Sequence, residues 1–301
     1  TSLYKSVDVL VINLVDLIPA EEPDVTFGKG VVHFQKAYLL KGIKPLTREL
    51  NGIAVIHSHP EGIRPFPSIL DDDMDAYLYS YFGSFGPKAP YLSLIFTKTE
   101  GGSVQFTGRG FFQKKDFFVD ELRIVGKKVE RIEALGRPSK NLPDDVHLRL
   151  KRLSESYGKE VPEKLWNTEV TIVGCGGTGS PSAHSLARSG FGTINLIDFD
   201  FLNLHNSERV HGAFAKYFGI GSEKYKVDSL KELILMINPN IKVNVYRGSI
   251  LDTTAKEMIL RSHFILNCTD AEHAKVALSE YVWRFNSIVL QVNVSIESDL
   301  Y

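Results

Sequence analysis

Apolar and polar positions alternate over residues 7–15, and residues 52–57, 91–97, 103–107 and 117–125 also have the pattern of extended chain. Alternation puts successive side chains on opposite faces of an extended chain, so the first part of the sequence predicts mostly strands. One longer amphipathic stretch, residues 68–82, predicts a helix among them. Residues 127–145 are charged, carry Pro138 and Pro143 and show no clear period, which predicts a linker. Beyond it the rhythm changes. Strands at 170–173, 193–197, 242–246, 264–267 and 288–293 alternate with helices at 177–189, 224–237, 253–261 and 271–285. Strand–helix alternation of this kind predicts a doubly wound, largely parallel, Rossmann-like α/β sheet. The division is therefore a first domain over residues 1–126, a linker over 127–145 and a second domain over 146–301, with the last covering elements of the sheet expected beyond Tyr301.

Charge changes this picture little but excludes several functions. The chain has 301 residues with 35 basic and 36 acidic side chains. Such a balance gives no electrostatic footprint for nucleic acid and no attraction to an anionic membrane. A protein or a small molecule is the expected partner. No apolar run has the length of a membrane span, and the start TSLYKSVDVLVINLV lacks a basic flank and a cleavage site. The two cysteines, Cys175 and Cys268, fall in segments predicted to be core or phosphate loop, which argues against a disulfide framework and for a cytoplasmic setting.

The chemistry of the second half begins at TIVGCGGTGS, where Gly174, Gly176 and Gly179 have the G-x-G-x-x-G spacing and Gly177 lies between them. This loop follows an apolar strand and opens a helix, where backbone N–H groups and the helix dipole hold phosphate. Asp198 ends the next strand, at the position of a ribose-hydroxyl acceptor. So far a nicotinamide enzyme fits equally well. The stretch IDFDFLNLHNSERV then adds Asp200, Asn206 and Arg209. It resembles the D-x-D-x(5)-N-x-x-R pattern of the ThiF-like, ubiquitin-activating superfamily, and the segments around Lys224 and Lys226, INPNI and NCTD continue the resemblance in order. Counting back from Ile237-Asn238-Pro239 favours Lys226 over Lys224 by family register.

The resemblance implies ATP and Mg²⁺ as cofactors. It makes Gly174, Gly176, Gly177, Gly179, Asp198, Asp200, Asn206, Arg209, Lys226 and Asp270 the nucleotide site, with Asp270 on Mg²⁺ and Asp200 assisting. Arg209 and Lys226 suit neutralisation of phosphate charge. Arg152, in the lead-in RLKRLSESYG, would reach into the site of a partner subunit, which implies a homodimer. Neither cysteine matches the family's thioester acceptor.

A second constellation stands in the first half. In IAVIHSHPEGIRPFPSILDDD, His57 and His59 are two apart on a strand, so both rings share a face, and Asp71 follows near a helix start. Two imidazoles and a carboxylate leave a fourth Zn²⁺ position for water, the catalytic arrangement. Ser68 is placed to hydrogen-bond an oxyanion. The motif resembles the JAMM metallopeptidase pattern H-S-H-P-x(n)-S-x-x-D and implies an α/β domain on a mixed sheet that trims or releases ubiquitin-like proteins. Eight residues separate His59 from Ser68 where the family typically has seven, and Glu21, Glu22 and Glu49 give no clear counterpart of its upstream glutamate.

Together the two resemblances imply that a ubiquitin-like or sulfur-carrier protein is adenylated by one domain and processed by the other, with a conjugating-enzyme-like protein as a further partner. A non-catalytic adaptor that binds such a protein, and an NAD-dependent oxidoreductase, are the alternatives left open by the residues themselves.

Overall fold

The computed structural model describes residues 2–5, 10–14, 17–21, 24–28, 31–35, 37–41, 52–84, 90–112, 115–127, 129–136, 140–218, 223–285 and 287–292. Two compact units divide the chain between Pro138 and Ser139.

The first unit opens with two hairpins, β1 (Ser2–Lys5) with β2 (Leu10–Asn13) and β3 (Val25–Gly28) with β4 (Val31–Phe34). Its main sheet is mixed, as expected. It has β5 (Ile53–Ser58) parallel to β6 (Tyr91–Lys98), which is antiparallel to β7 (Val104–Phe112), itself antiparallel to β8 (Lys115–Phe118). A parallel pair cannot be joined by a tight turn. Here the crossover between β5 and β6 contains α1 (Ile69–Gly83), whose Leu78 and Phe82 pack with Tyr91 and Leu39.

Two expectations fail in this unit. Residues 117–125 form no single strand: the chain leaves the main sheet after β8 and begins β9 (Glu121–Val125). Residues 127–145 are no linker, because they include β10 (Val129–Glu133), which pairs antiparallel with β9. The charges that suggested solvated chain are the cohesion of this ribbon. Glu121 accepts from Arg123 Nε at 2.6 Å and from Arg131 Nη2 at 2.7 Å. Burial would raise the Glu121 carboxyl, but the two guanidiniums prevail and hold it below its ordinary range.

The second unit starts with three short helices, α2 (Asp144–Arg149), α3 (Lys151–Tyr157) and α4 (Glu160–Trp166). Then come β11 (Glu169–Val173), α5 (Gly179–Ser189), β12 (Thr193–Ile197), α6 (Lys226–Ile237), β13 (Lys242–Tyr246), α7 (Thr253–Arg261), β14 (Phe264–Asn267), α8 (Glu272–Phe285) and β15 (Val289–Gln291). All five strands are parallel, in the order β13-β12-β11-β14-β15. The apolar runs that predicted them are the core. Val170, Ile172, Ile194 and Leu196 are fully buried beneath Ala183 of α5 and Leu230 and Ile234 of α6.

This strand order locates the site. The chain winds from β11 outward through β12 and β13, then returns past β11 to β14 and β15. Adjacent strands whose connections leave in opposite directions open a crevice at their carboxyl ends. The predicted phosphate loop follows β11, Asp198 follows β12, and Asp270 lies just beyond β14.

Candidate functional site

In the nucleotide-loop crevice, the glycines are explained by close approach. Gly174 has φ +86°, and a Cβ on it would lie 3.0 Å from the backbone of Cys268 and Thr269 on the neighbouring strand end. At Gly179 a Cβ would fall on the carbonyl oxygen of Gly174. Only glycine lets the loop close on itself and enter α5 directly. Thr178 caps α5 without a side-chain hydrogen bond, and in the first turn the Ser180 N–H bonds Gly176 O at 3.0 Å while Pro181 has no N–H to offer. Gly176 faces open space, and Gly177 makes room for Arg209, whose Cδ would lie 3.0 Å from a Cβ there. The arginine stem thus crosses the phosphate loop while its guanidinium meets Glu208 at 2.8 Å.

Asp198 shapes this loop from below. One carboxylate oxygen accepts the Cys175 N–H at 2.7 Å and the other accepts the Asp200 N–H at 2.8 Å. Burial pushes its pKa up despite those bonds. The expected ribose acceptor is therefore also the brace between the glycine loop and the Asp200 turn. Asn206 is buried, and its Oδ1 accepts the Asn203 N–H at 3.1 Å within the 3-10 turn Leu204–Asn206. Its carbonyl accepts the Arg209 N–H at 3.1 Å, so Asn206 fixes the turn that delivers Arg209.

Of the two lysines, Lys226 meets Asp200 with Nζ 2.6 Å from Oδ2, and its side chain is 12% exposed. Lys224 turns to Glu232 on the outer part of α6, where it is the first cause that holds that carboxyl down at about 2. Geometry assigns Lys226 to the crevice and Lys224 away from it. Asp270 is exposed just beyond β14, and Arg152 is exposed on α3. Cys175 is fully buried and Cys268 partly so, and burial pushes both thiols above the ordinary range.

In the first unit, His57 near the end of β5 and His59 just beyond it approach Asp71 of α1. His57 Nε2 lies 3.0 Å from Asp71 Oδ1, and His59 Nε2 lies 3.4 Å from Oδ2. The ligand atoms of the three residues all lie within 4.8 Å of one another. Donors at this spacing can share one tetrahedral cation. His57 Nε2 is buried without an aligned hydrogen bond, and burial holds the imidazole below its ordinary pKa, the neutral form a metal needs. The residues present therefore fit Zn²⁺.

Ser68 does something other than expected. It is the N-cap of α1: its Oγ accepts the Asp71 N–H at 3.3 Å and donates to Asp71 Oδ2 at 2.7 Å, and its N–H donates to the same oxygen at 2.7 Å. The hydroxyl is committed to starting the helix and aiming the carboxylate rather than free for an oxyanion. Burial would raise Asp71, yet the Ser68 bonds and the imidazoles hold it down. Between His59 and Ser68 the loop is pinned by Thr97 Oγ1 to Pro60 O at 3.0 Å and by Thr107 Oγ1 to Pro65 O. Glu21 is exposed, and Glu22 and Glu49 lie outside the described residues.

Sequence reasoning passed over the group behind this cluster. Buried Asp75 accepts from Tyr91 Oη at 2.7 Å and from Arg109 Nε at 2.7 Å, and Arg109 also bonds Asp72. The available signal was the i, i+4 spacing of Asp71 and Asp75, which puts both on one helix face.

Comparison with known proteins places the crevice in a family. Residues 149–296 match the ThiF family. The chain is 32% identical over 117 residues to the adenylyltransferase and sulfurtransferase UBA4 of Debaryomyces hansenii, covering 39% of this chain and 25% of that protein. It is 31% identical over 129 residues to the tRNA threonylcarbamoyladenosine dehydratase of Escherichia coli, covering 42% of this chain and 47% of that one. A structure of the E. coli dehydratase in complex with ATP aligns at 27% identity with a TM-score of 0.46, over 50% of this chain and 61% of that one. The chain thus spans a quarter to about half the length of these two curated relatives. Residues 149–296, which carry the glycine loop, the Asp200–Arg209 turn, Lys226 and Asp270, form a ThiF-family domain.

Proposed function

We propose that the second unit uses ATP to adenylate the C-terminal carboxylate of a ubiquitin-like or sulfur-carrier protein. The observation that carries this reading is the gathering of the glycine loop, Asp198, Asp200, Arg209 and Lys226 at the carboxyl ends of β11 and β12, beside Asp270. In the reaction an oxygen of the cargo carboxylate bonds to the α-phosphorus, the bond to the bridging oxygen breaks, and pyrophosphate leaves with the electron pair. Charge on the phosphates must be neutralised by groups already in place. Lys226 fills that role by exchanging Asp200 for a phosphate oxygen, and Arg209 by swinging from Glu208 over the loop it already crosses. Asp270, assisted by Asp200, would hold Mg²⁺, which when bound adds positive charge at the phosphates. The adenylyltransferase names of matched relatives support this reading.

Arg152 extends the reading to a homodimer in which its guanidinium enters the partner's crevice. A conjugating-enzyme-like protein would take the activated cargo by a route that bypasses Cys175 and Cys268, whose thiols are held protonated by burial. For the first unit, the reading is a zinc-dependent peptidase or isopeptidase acting on the same cargo. His57, His59 and Asp71 would hold Zn²⁺, which when bound supplies a water acidic enough to be hydroxide near neutral pH. The support is the fit of the three donors and the buried, unaligned His57 Nε2.

The test is ATP–pyrophosphate exchange with a panel of ubiquitin-like proteins ending in Gly. Exchange is expected to need the cargo and to be lost in Asp270→Ala and Arg209→Ala. A chain that does not bind ATP at all sinks the adenylation reading.

A further inference from the structure

Behind the His57–His59–Asp71 cluster lies a charge network that touches none of the three directly. Arg109 sits on β7 with its side chain 21% exposed. Its Nε donates to Asp75 Oδ2 at 2.7 Å, its Nη2 lies 2.6 Å from the same oxygen, and its Nη1 bonds Asp72 Oδ1. The other oxygen of Asp75 accepts from Tyr91 on β6 at 2.7 Å. One guanidinium and one phenol, from two neighbouring strands, therefore grip two carboxylates in the first turns of α1.

Asp71 precedes Asp72 by one residue and Asp75 by four, on the same stretch of helix. A carboxylate ligand is directed by its backbone, and the backbone of this turn is held at two points. Ser68 fixes it from the N-terminal side through the cap, and Arg109 fixes it one turn later. The histidines come from β5 and the residue after it, and β5 is joined to β7 through β6. Arg109 thus refers the position of the carboxylate to the same sheet that positions the imidazoles. A planar fork holding two carboxylates has a geometric constraint that an ammonium cannot reproduce.

We propose that Arg109 is a positioning residue for the metal site: by clamping Asp72 and Asp75 it sets the placement of Asp71 against His57 and His59, and with it the affinity for Zn²⁺. The inference rests on the reading of those three residues as zinc ligands. Partners one layer behind metal ligands are worth about tenfold to a hundredfold in affinity. That is the loss expected here.

The experiment titrates the metal-free full chain with Zn²⁺ against a competing chelator, and with Co²⁺ for its visible absorption spectrum. It compares the wild type with Arg109→Lys, the charge-neutral pair Arg109→Met/Asp75→Asn, and His57→Ala. Arg109→Lys keeps the charge beside buried Asp75, and the double variant removes both members, so a folded protein is available even if one of them unfolds. Melting temperatures of the metal-free proteins identify the variants to be compared. In a variant that melts with the wild type, zinc affinity falls about tenfold to a hundredfold and the Co²⁺ spectrum shifts, as displaced ligands require. Wild-type affinity with an unchanged Co²⁺ spectrum would leave Arg109 a purely structural residue and overturn the proposal. If the wild type takes up no zinc, or His57→Ala binds it equally well, the zinc reading itself falls and the inference falls with it.

Discussion

At the scale of single residues, the crevice of the second unit is defined by which side chains already have partners. Lys224 and Lys226 are two apart where the chain enters α6, yet they pair with different carboxylates. Lys226 is held at the crevice by Asp200, and Lys224 is spent on Glu232. Replacing Lys226 by Met is expected to lower cargo-dependent pyrophosphate exchange by about a hundredfold or more, the cost of a lost preorganised charge at a transition state. Lys224→Met removes a surface ion pair worth about 0.2–1 kcal/mol and leaves exchange close to wild type. Equal loss in both variants would refute the assignment. Family register favoured Lys226 from sequence alone, but the reason, an ion pair across 26 residues to Asp200, is a tertiary fact. Ser68 and Asn206 show the reverse: their positions in motifs were legible, while their atoms are committed to capping the turns that carry Asp71 and Arg209.

At the scale of elements, the central strands of the parallel sheet were legible because they are short, mainly apolar segments, with β12 buried throughout and β11 buried from Val170 to Val173. The β9–β10 ribbon was not, because a side-chain link across it is the Glu121–Arg131 ion pair, and charge in sequence resembles solvated chain. Its Glu121 makes a test. The carboxyl is held below its usual value of 4.5 in the folded state, so its stabilisation is present above that pH and is lost as the pH falls through the depressed folded value. Glu121→Gln is expected to destabilise the first unit by about 1.5–3 kcal/mol at pH 7, the worth of hydrogen bonds to a charged group. Against wild type, the difference in urea midpoint should shrink steadily on acidification below pH 4.5. A difference that stays constant down to pH 3 would mean that the ion pairs contribute nothing to the ribbon.

At the scale of the whole molecule, two compact units, one carrying the proposed zinc site and the other the proposed nucleotide site, should answer to different additions. A ligand that binds only the native form stabilises its unit by about 2.7 kcal/mol at a hundred times its dissociation constant. Calorimetry of the full chain is expected to show ATP with Mg²⁺ raising one transition and Zn²⁺ raising the other, with neither ligand moving both. A shift of both transitions by either ligand would argue against independent units.

Sequence by itself determined the strand–helix alternation, the glycine loop and the ordered motifs from Asp198 to Asp270, because periodicity, the missing β-carbons of glycine and local spacing are properties of neighbouring residues. It also put His57 and His59 together at the end of β5, where their rings lie near one another. Only the tertiary structure decided that the crevice forms where β11 lies between β12 and β14, that Asp198 braces the loop it was expected to serve, and that Arg109 grips Asp72 and Asp75 on the helix that carries Asp71. Each of these depends on contacts between residues far apart in the chain. Which distant side chains meet is fixed by strand order and packing, and no local pattern contains that order.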